Sequence, residues 1–363
     1  MGPRETTSQR LFNQHVAKPR LRTGQQIVFQ LGAIQSQDYG MGKWAIGVRL
    51  KGATERAVEA AIESGEVVRM HLLRPTWHFA ARKDVRWMLE LTGPNIRASM
   101  KYRDKQLELT GEAVRKSTRI IEKALKAGPT TRDALVSALE AGGISNDDNR
   151  AAHLLIRAEL DKVACSAPPL EGKQAYVLFD AWIPPAPALK KDEALAALAQ
   201  RYFSTRCPVT VRDFSWWSGL SLRDARDALE MVKSGFTVEK IGSQTWVLCM
   251  SSRLVGAFEP DGQSAGLLPA FDEMILSYAD RSALFAGNHG LRSVVSGGII
   301  RPMIVSRGQV IGTWNRQADG QKIAVTIAPF GRLASGFWAS LERAAKRYAA
   351  FLGKPLEILT RPL

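Results

Sequence analysis

The sequence TVRDFSWWSGLSLRDARDALEMVKSG, residues 210–235, contains two helix-start signals in close succession. Thr210 followed by Asp213 has the spacing of a capping box, in which two side chains satisfy free backbone N–H groups at the start of a helix. Ser221 followed by Asp224 repeats that spacing. A glycine follows each helical run, and glycine is common just after a helix. The stretch therefore predicts two short helices joined by a tight turn.

A β-hairpin is predicted directly after these two helices. The runs 236–241 and 245–250 are rich in β-branched and aromatic residues, and the turn-forming tripeptide Gly242-Ser243-Gln244 separates them. Two helices joined by a turn and followed by a hairpin have the element order of a winged helix.

The same order occurs twice earlier in the chain. In the middle, Thr130 with Asp133 and Ser145 with Asp148 mark two helix starts, and a strand is predicted at 175–179. Near the N-terminus the pattern is less regular, with helices predicted at 23–34, 41–49 and 54–64 and strands at 67–72 and 76–80. Three successive matches argue against a chance string of helices and hairpins.

The last third of the chain has a different pattern. Short β-rich runs joined by glycine turns precede a helical run at 335–351. Pro184-Pro185-Ala186-Pro187 and Pro260 to Gly266 mark composition shifts typical of linkers. We therefore predict an α+β protein in which three tandem winged-helix modules precede a small β-rich, barrel-like C-terminal domain with a terminal helix. The predicted domains are 1–105, 106–187, 188–259 and 260–363.

The charge balance indicates a polyanionic partner. The chain has 50 Lys and Arg against 35 Asp and Glu, a formal net charge of +15, and its sequence pI is near 9.9. A positive balance spread through a folded protein favours nucleic acid, and we expect the partner to be double-stranded DNA. Anionic membrane surfaces and the ribosome would attract such a chain as well.

The compartment and the assembly state follow from weaker signals. No run of about 18 apolar residues is present, and the first residues lack the apolar core of a signal peptide. We expect a cytoplasmic monomer that stays out of the membrane and associates with the nucleoid in a prokaryote. Cys165, Cys207 and Cys249 are widely spaced, so we expect core thiols and neither a disulfide nor a zinc site.

The densest positive charge lies between the first two predicted modules. Arg115, Arg119 and Lys123 fall on one face of a predicted helix, because residues four apart are neighbours on a helix surface, and Lys116 lies beside them. Such a stripe would contact DNA phosphates and give affinity without sequence specificity. The alternative interpretation is a solvated helix face, and both stay open.

Common catalytic signatures are absent from the sequence. It has no phosphate-binding Gly-x-x-x-x-Gly-Lys-Ser/Thr loop, no His-Glu-x-x-His zinc helix and no zinc-deaminase pattern, so we expect neither a metal nor a cofactor. His71, Arg74, Trp77 and His78 cluster around the first predicted hairpin. They either support an active site or, in the more ordinary interpretation, hold the turn and pack in the core.

Two short polar segments are further candidates. Asp272-Glu273 is a pair of carboxylates in a segment with strand character, but adjacent residues on a strand point to opposite faces, which argues against joint catalysis. Gln35-Ser36-Gln37-Asp38 follows the first apolar helical run. If this segment is extended, Gln35 and Gln37 project to the same side, although glutamines also commonly decorate surfaces.

These residues belong to segments that resemble a known family over about residues 11–353. The segments are Leu31–Tyr39, Trp44–Arg49, His71–Phe79, Arg86–Leu89, Gly172–Tyr176, Val211–Leu220, Leu267–Glu273 and Gly312–Trp314. They resemble the winged-helix DNA-binding family that contains the AlkZ and YcaQ DNA glycosylases. The resemblance implies three tandem winged helices and a C-terminal β-barrel-like domain curled around DNA. It also implies removal of N7-alkylated purines, including some cross-linked ones.

The resemblance further implies which residues do the chemistry. The family's catalytic motif is Gln, an aliphatic residue, and then Gln or Asp. Gln35 and Gln37 match its two functional positions, and Ser36 departs from the aliphatic middle residue. Two hypotheses stay open: a monofunctional glycosylase for N7-alkylated purines in DNA, and a non-catalytic winged-helix DNA-binding protein or transcriptional regulator. A basic structural protein that binds RNA is a more distant third.

Overall fold

The computed structural model describes residues 2–242, 244–249, 265–285, 290–318, 320–332 and 335–360. Helices and strands are mixed along the whole of this part of the chain. The larger of two compact units comprises Met1–Ala60, Leu195–Trp217 and Ser221–Leu363, and the smaller comprises Ala61–Ala194 and Ser218–Leu220. Within the residues described, no helix is long and apolar enough to cross a membrane.

The elements follow one another in this order. The first part of the chain forms α1 (Pro3–Asn13), α2 (Gly24–Leu31), β1 (Ala33–Gln35), α3 (Tyr39–Gly47), α4 (Glu55–Glu63), β2 (Val67–His71), β3 (Trp77–Ala81), α5 (Arg82–Gln106) and α6 (Gly111–Leu125). The middle forms β4 (Thr130–Thr131), α7 (Arg132–Ala141), α8 (Arg150–Leu160), β5 (Ala164–Leu170), β6 (Lys173–Leu178), α9 (Phe179–Trp182) and α10 (Lys191–Arg206). The rest forms β7 (Val209–Thr210), α11 (Val211–Ser218), α12 (Leu222–Val232), β8 (Thr237–Ile241), β9 (Gln244–Leu248), β10 (Ala265–Leu268), α13 (Glu273–Leu276), β11 (Val295–Ser296), β12 (Ile299–Ile300), β13 (Met303–Ser306), β14 (Gln309–Ala318), β15 (Ile323–Pro329), α14 (Ser335–Leu352) and β16 (Leu356–Thr360).

The helix starts predicted at Thr210 and Ser221 are confirmed. The backbone N–H of Asp213 donates to Thr210 Oγ1 at 3.2 Å, and the N–H of Thr210 donates back to Asp213 Oδ2 at 2.8 Å. Ser221 Oγ likewise accepts from the N–H of Asp224 at 3.0 Å. Strands β8 and β9 form the predicted antiparallel hairpin, and β7 pairs with the other edge of β9. Ser243 and Met250, which the prediction included, lie outside the described residues.

Two predicted caps in the middle of the chain are wrong. Helix α7 is capped by Thr131, the second residue of β4, whose Oγ1 accepts a backbone N–H of the first turn at 3.3 Å, and not by the predicted Thr130. Helix α8 begins after Asn149 and not at the predicted Ser145 cap, and Asn146 Oδ1 accepts a backbone N–H of its first turn at 3.0 Å. Several polar residues stand in a row at both places, so spacing alone does not select the one that accepts.

The smaller unit packs three helices against a small sheet. Strands β4, β6 and β5 pair antiparallel in that order, and β2 with β3 forms a separate antiparallel hairpin. The core comes from the apolar faces of α6, α7 and α8, with Tyr176 of β6. Its buried members are Ile121, Leu125, Leu135, Leu139, Ile144, Ala151, Leu154, Leu155, Ala158, Ala164 and Tyr176.

The larger unit contains the predicted β-rich region. Strands β10, β13, β14, β15 and β16 form one sheet in that order, antiparallel except for the parallel pair β15 and β16. Helix α14, predicted at 335–351, spans Ser335–Leu352 and packs near β10. Strand β16 was not predicted from the sequence. The four-domain division stays a prediction, and its last boundary, at 259–260, lies outside the described residues.

The prediction of separate thiols is wrong for two of the cysteines. Cys207 and Cys249 form a disulfide, with Cα atoms 5.8 Å apart, whereas Cys165 is a free, buried thiol. Cys207 directly follows α10 and Cys249 directly follows β9. Their pairing depends on how a helix end approaches a strand end, which a sequence separation of 42 residues does not disclose.

The glycine that ends α11 provides a test of this fold. Gly219 has φ of +68°, and a Cβ added there would collide with the carbonyl oxygen of Leu73. We expect Gly219→Ala to lower the free energy of unfolding by about 3 kcal/mol, from left-handed strain plus a forced backbone shift. Gly172→Ala is the matched control, because Gly172 has φ of +75° with nothing within 4 Å, and it should cost only about 1 kcal/mol. Urea denaturation measures both, and equal losses would contradict the predicted collision.

Candidate active site

The Gln35-Ser36-Gln37 segment lies at the junction of a strand and a helix in the larger unit. Helix α2 ends at Leu31, and Gly32 turns the chain with φ of +79°, which favours glycine. Strand β1 then runs through Gln35, with every residue buried. Asp38 caps α3 by accepting the N–H of Met41 on Oδ1 at 2.9 Å. The motif therefore sits directly before the N-terminus of a capped helix.

The two glutamines have different surroundings. Gln35 ends β1 and is 5% exposed, whereas Gln37 lies in a bend and is exposed. The strand stops at Gln35, so the extended conformation that would project both glutamines to the same side does not continue through Gln37. Ser36, where the family motif has an aliphatic residue, is 1% exposed. One glutamine is thus held inside the unit and the other faces outward beside it.

A buried carboxylate anchors the backbone of the motif. The N–H of Gln35 donates to Glu273 Oε1 at 3.0 Å. The second oxygen of Glu273 accepts from Arg206 Nη2 at 2.9 Å, from Trp217 Nε1 at 2.9 Å and from Ser277 Oγ at 2.7 Å. Glu273 is completely buried, so these donors replace the water that an ionised carboxylate would otherwise need.

The partners of Glu273 keep it ionised. Burial alone would raise its pKa, but the charge and the hydrogen bond of Arg206 act in the opposite direction, together with the bonds from the Gln35 backbone and from Ser277. The net effect lowers the pKa of Glu273 from 4.5 to about 2. The carboxylate therefore remains an acceptor for the motif at any pH near neutrality.

The neighbouring carboxylate has a separate partner. Arg49 donates to both oxygens of Asp272 at 2.8 Å, and both side chains are fully buried. Asp272 also caps α13 by accepting the N–H of Met274 at 2.8 Å. The strand character expected around these carboxylates is wrong, since β10 ends at Leu268 and a helix begins at Glu273. Each acid instead engages its own arginine.

Two tryptophans fix the strand that leads to these acids. Trp44 Nε1 donates to the carbonyl oxygen of Leu267 at 2.8 Å, and Trp314 Nε1 donates to that of Leu268 at 2.7 Å. Phe271, between this strand and the acids, has a positive φ of 57°, a conformation that costs free energy for a residue with a Cβ. The strand that leads to Asp272 and Glu273 is therefore fixed through two of its carbonyl groups.

An arginine lies against the start of α3. Arg316 Nη2 is 3.6 Å from Asp38 Oδ1, and Arg316 Nη1 donates to the hydroxyl of Tyr348 at 2.8 Å. Its guanidinium fills the space next to Gly40, where any Cβ would be too close to it. A cation thus lies beside the residue that follows Gln37.

The residues predicted to support the site belong to the smaller unit. His71 Nδ1 is 2.8 Å from Glu159 Oε2, and the centres of the His71 and Trp77 rings lie 3.9 Å apart. His78 is buried, with Nδ1 2.8 Å from the carbonyl oxygen of Thr76. Arg74 is half-buried in the turn between β2 and β3. These contacts fit the interpretation in which the side chains hold the hairpin.

The basic stripe lies on the outer face of α6. Arg115, Lys116, Arg119 and Lys123 are all exposed, whereas Ser117, Ile121 and Leu125 of the same helix are buried. Among the residues that the structure describes, none of the four cations forms an ion pair. The stripe is therefore available to an anionic partner.

Sequence reasoning missed the arginines that hold the two acids. Arg206 is the last residue of α10, one turn after the buried Tyr202 and on the same face, and it is itself fully buried. A cation that continues the apolar face of a helix was the one available signal. No cluster of His, Cys, Asp and Glu placed to hold a metal occurs within the described ranges.

Comparison with known structures shows the class of fold. The chain is similar to the DNA glycosylase AlkZ of Streptomyces sahachiroi, with a TM-score of 0.79 over 99% of this chain and 100% of that chain, at 20% sequence identity. No curated protein matches the chain. The architecture is therefore that of a mixed α/β protein like AlkZ.

Comparison with protein families gives the finer assignment. The sequence model described as "DNA glycosylase AlkZ-like" matches residues 28–351. The chain therefore belongs to the AlkZ-like family of DNA glycosylases, and membership supports an enzyme of this class. The matched range includes Gln35, Gln37 and both buried acids.

Proposed function

We propose that the protein is a monofunctional DNA glycosylase that hydrolyses the N-glycosidic bond of N7-alkylated purines in double-stranded DNA, including some cross-linked ones. Gln35 and Gln37 are its catalytic residues. The observation that carries the proposal is the bond from the Gln35 backbone to the buried Glu273, next to the exposed Gln37. A catalyst that works by positioning needs a rigidly held backbone beside an accessible polar group.

The chemistry suits two neutral amides. Alkylation at N7 makes the purine cationic, so the bond between the base and C1′ of the sugar breaks with its electron pair leaving on the base. The base departs as a neutral molecule, and the sugar becomes oxocarbenium-like. The oxygen of a water molecule then bonds to C1′ and its proton passes to solvent, which leaves an abasic site.

The amide oxygens act on the water and on the developing charge. They accept hydrogen bonds from the water, direct it toward C1′ and place their negative ends toward the positive sugar. An amide does not take up a proton at neutral pH, so the activity is confined to bases that already carry a charge. No lysine is assigned as a nucleophile, and the abasic strand is left uncut.

Binding to DNA rests on the charge of the protein and on its modules. The exposed stripe on α6 contacts phosphates, which gives affinity without reading sequence. Two winged helices in tandem are supported by the element order. Residues 106–187 contain α7, α8, β5 and β6, and residues 188–259 contain α11, α12, β8 and β9. Residues 1–105 form a less regular winged helix. The protein acts as a monomer, in the cytoplasm and without a cofactor.

The stripe is tested by the salt dependence of binding to undamaged duplex. A variant that combines Arg115→Ala, Arg119→Ala and Lys123→Ala should flatten the slope of log affinity against log salt concentration. The slope should change by about 0.9 for each lost phosphate contact. The control variant combines Lys322→Ala, Arg343→Ala and Lys346→Ala, which removes the same charge from exposed positions outside the proposed winged helices and should change the slope less. An identical slope in the stripe variant and wild type would make the stripe a solvated face.

The glutamines are tested by single-turnover excision of N7-methylguanine. Gln37→Ala should slow excision by about tenfold or more, since one oriented polar contact is worth about 1.4 kcal/mol in the transition state. Gln37→Asp should retain activity, because a carboxylate also stabilises the oxocarbenium. DNA affinity should change little in either variant, because neither amide neutralises phosphate.

Gln25→Ala is the control for these variants. Gln25 is an exposed glutamine of α2, one helix before the motif, and its replacement should leave excision unchanged. Intact excision after Gln35→Ala and Gln37→Ala together would refute the catalytic assignment. A wild-type protein that binds DNA but never excises the base would be a non-catalytic DNA-binding protein.

A further inference from the structure

One edge of the segment that leads to the catalytic motif is bonded to a buried ion pair. Arg206 Nη1 donates to the carbonyl oxygen of Leu31 at 2.8 Å, and Nη2 donates to that of Ala33 at 3.3 Å. Leu31 is the last residue of α2, whereas Ala33 and Gln35 are alternate residues of β1, and the N–H of Gln35 donates to Glu273 at 3.0 Å. Backbone groups of alternate residues in an extended chain point the same way. Arg206 and Glu273 thus occupy the place that a neighbouring strand would take.

The Arg206–Glu273 ion pair is held in place by several contacts. Arg206 and Glu273 are 2.9 Å apart and neither side chain is exposed. The Arg206 guanidinium also donates from Nε to Ser277 Oγ at 2.8 Å and lies 4.3 Å from the centre of the Trp217 ring. A buried charge is tolerated only when its partners satisfy it, so any displacement of the pair would leave a charge uncompensated.

Stability alone does not account for this arrangement. Replacing a buried ion pair by apolar residues of similar volume is often neutral or stabilising in proteins. Apolar side chains in the same place could not bond to two carbonyl groups and one N–H of the segment. The distinctive consequence of the pair is therefore the position of the backbone at Leu31, Ala33 and Gln35.

The adjacent ion pair is the matched comparison for this one. Arg49 and Asp272 are equally buried and are joined by two hydrogen bonds of 2.8 Å. Arg49 also donates to the carbonyl oxygen of Ala45 at 2.9 Å and to Gln14 Oε1 at 3.1 Å. Among the residues that the structure describes, these bonds lead to the end of α1 and to α3, and none of them reaches the backbone of residues 31–37. The two pairs match in chemistry and differ in what they hold.

We propose that Arg206 and Glu273 are positioning residues for base excision, which set the backbone of Gln35 and thereby the geometry of both glutamines. The inference rests on the proposed function, because it assigns the pair to the same site. Neither residue touches the substrate. Their contribution is the orientation of Gln35 and Gln37, and a shift of about 1 Å in such a group can cost about a hundredfold in rate.

The test compares Glu273→Gln with the matched control Asp272→Asn. Both variants remove one charge from a buried pair and keep the size of the side chain, so both should lower the melting temperature. Only Glu273→Gln should slow single-turnover excision of N7-methylguanine, by tenfold or more at saturating enzyme. Its Kd for undamaged duplex should stay within about twofold of wild type. Asp272→Asn should excise at close to the wild-type rate.

A second measurement does not depend on catalysis. In hydrogen exchange, the amide of Gln35 should lose protection in Glu273→Gln and keep it in Asp272→Asn, because of these two acids it is Glu273 that accepts the N–H. Arg206→Lys is a milder variant for the case in which Glu273→Gln does not fold. It keeps the positive charge and loses the forked bonds to Leu31 and Ala33, and it should slow excision likewise.

The outcomes separate this inference from the proposed function. Suppose that wild type excises the base, and that excision and Gln35 protection are both unchanged in Glu273→Gln, or in Arg206→Lys if Glu273→Gln does not fold. This result would overturn the positioning role alone. Equal loss of excision in Asp272→Asn would overturn it as well, since the effect would then be general destabilisation. A wild-type protein without excision would overturn the proposed function, and with it the catalytic part of this inference, whatever the exchange data show.

Discussion

The buried carboxylate of Glu273 is the constraint on which the site depends. An ionised group without water must be surrounded by donors, and here they come from α10, α11, the residue that follows α13 and the end of β1. Satisfying this one charge therefore brings four separate elements of the larger unit together. The backbone of Gln35 is one of the four donors, so the position of the motif follows from the same requirement.

The segments that resemble the AlkZ-like family meet around this charge. Trp217 comes from Val211–Leu220, Glu273 from Leu267–Glu273 and Gln35 from Leu31–Tyr39, and all three are joined by direct hydrogen bonds. The indoles of Trp44 and Trp314 hold the strand just before the acids. Segments far apart in the chain thus serve one task, which is to hold the backbone of a two-glutamine motif beside an exposed side chain.

Local signals were predictable from the sequence, and long-range pairings were not. The helix starts at Thr210 and Ser221 are confirmed, and in both the capping partner lies three residues away, within reach of a spacing pattern. The partner of Glu273 is 67 residues distant and that of Asp272 is 223 residues distant, and neither spacing carries a pattern. The Cys207–Cys249 disulfide was not predicted for the same reason, since its partners are 42 residues apart. Asp272 and Glu273 were assigned strand character because their distant arginine partners leave no local pattern. The two glutamines could be singled out as a weak candidate from the sequence, and the catalytic role proposed for them came from the resemblance.

Release of a base from DNA is the activity proposed for this chain. Its most direct test incubates the purified protein with a duplex that carries N7-methylguanine and measures free base by mass spectrometry, beside strand scission with and without alkali. We predict free N7-methylguanine in amounts equal to the alkali-labile sites, with no scission before alkali is added. Duplex that binds the protein yet yields no free base would contradict the account.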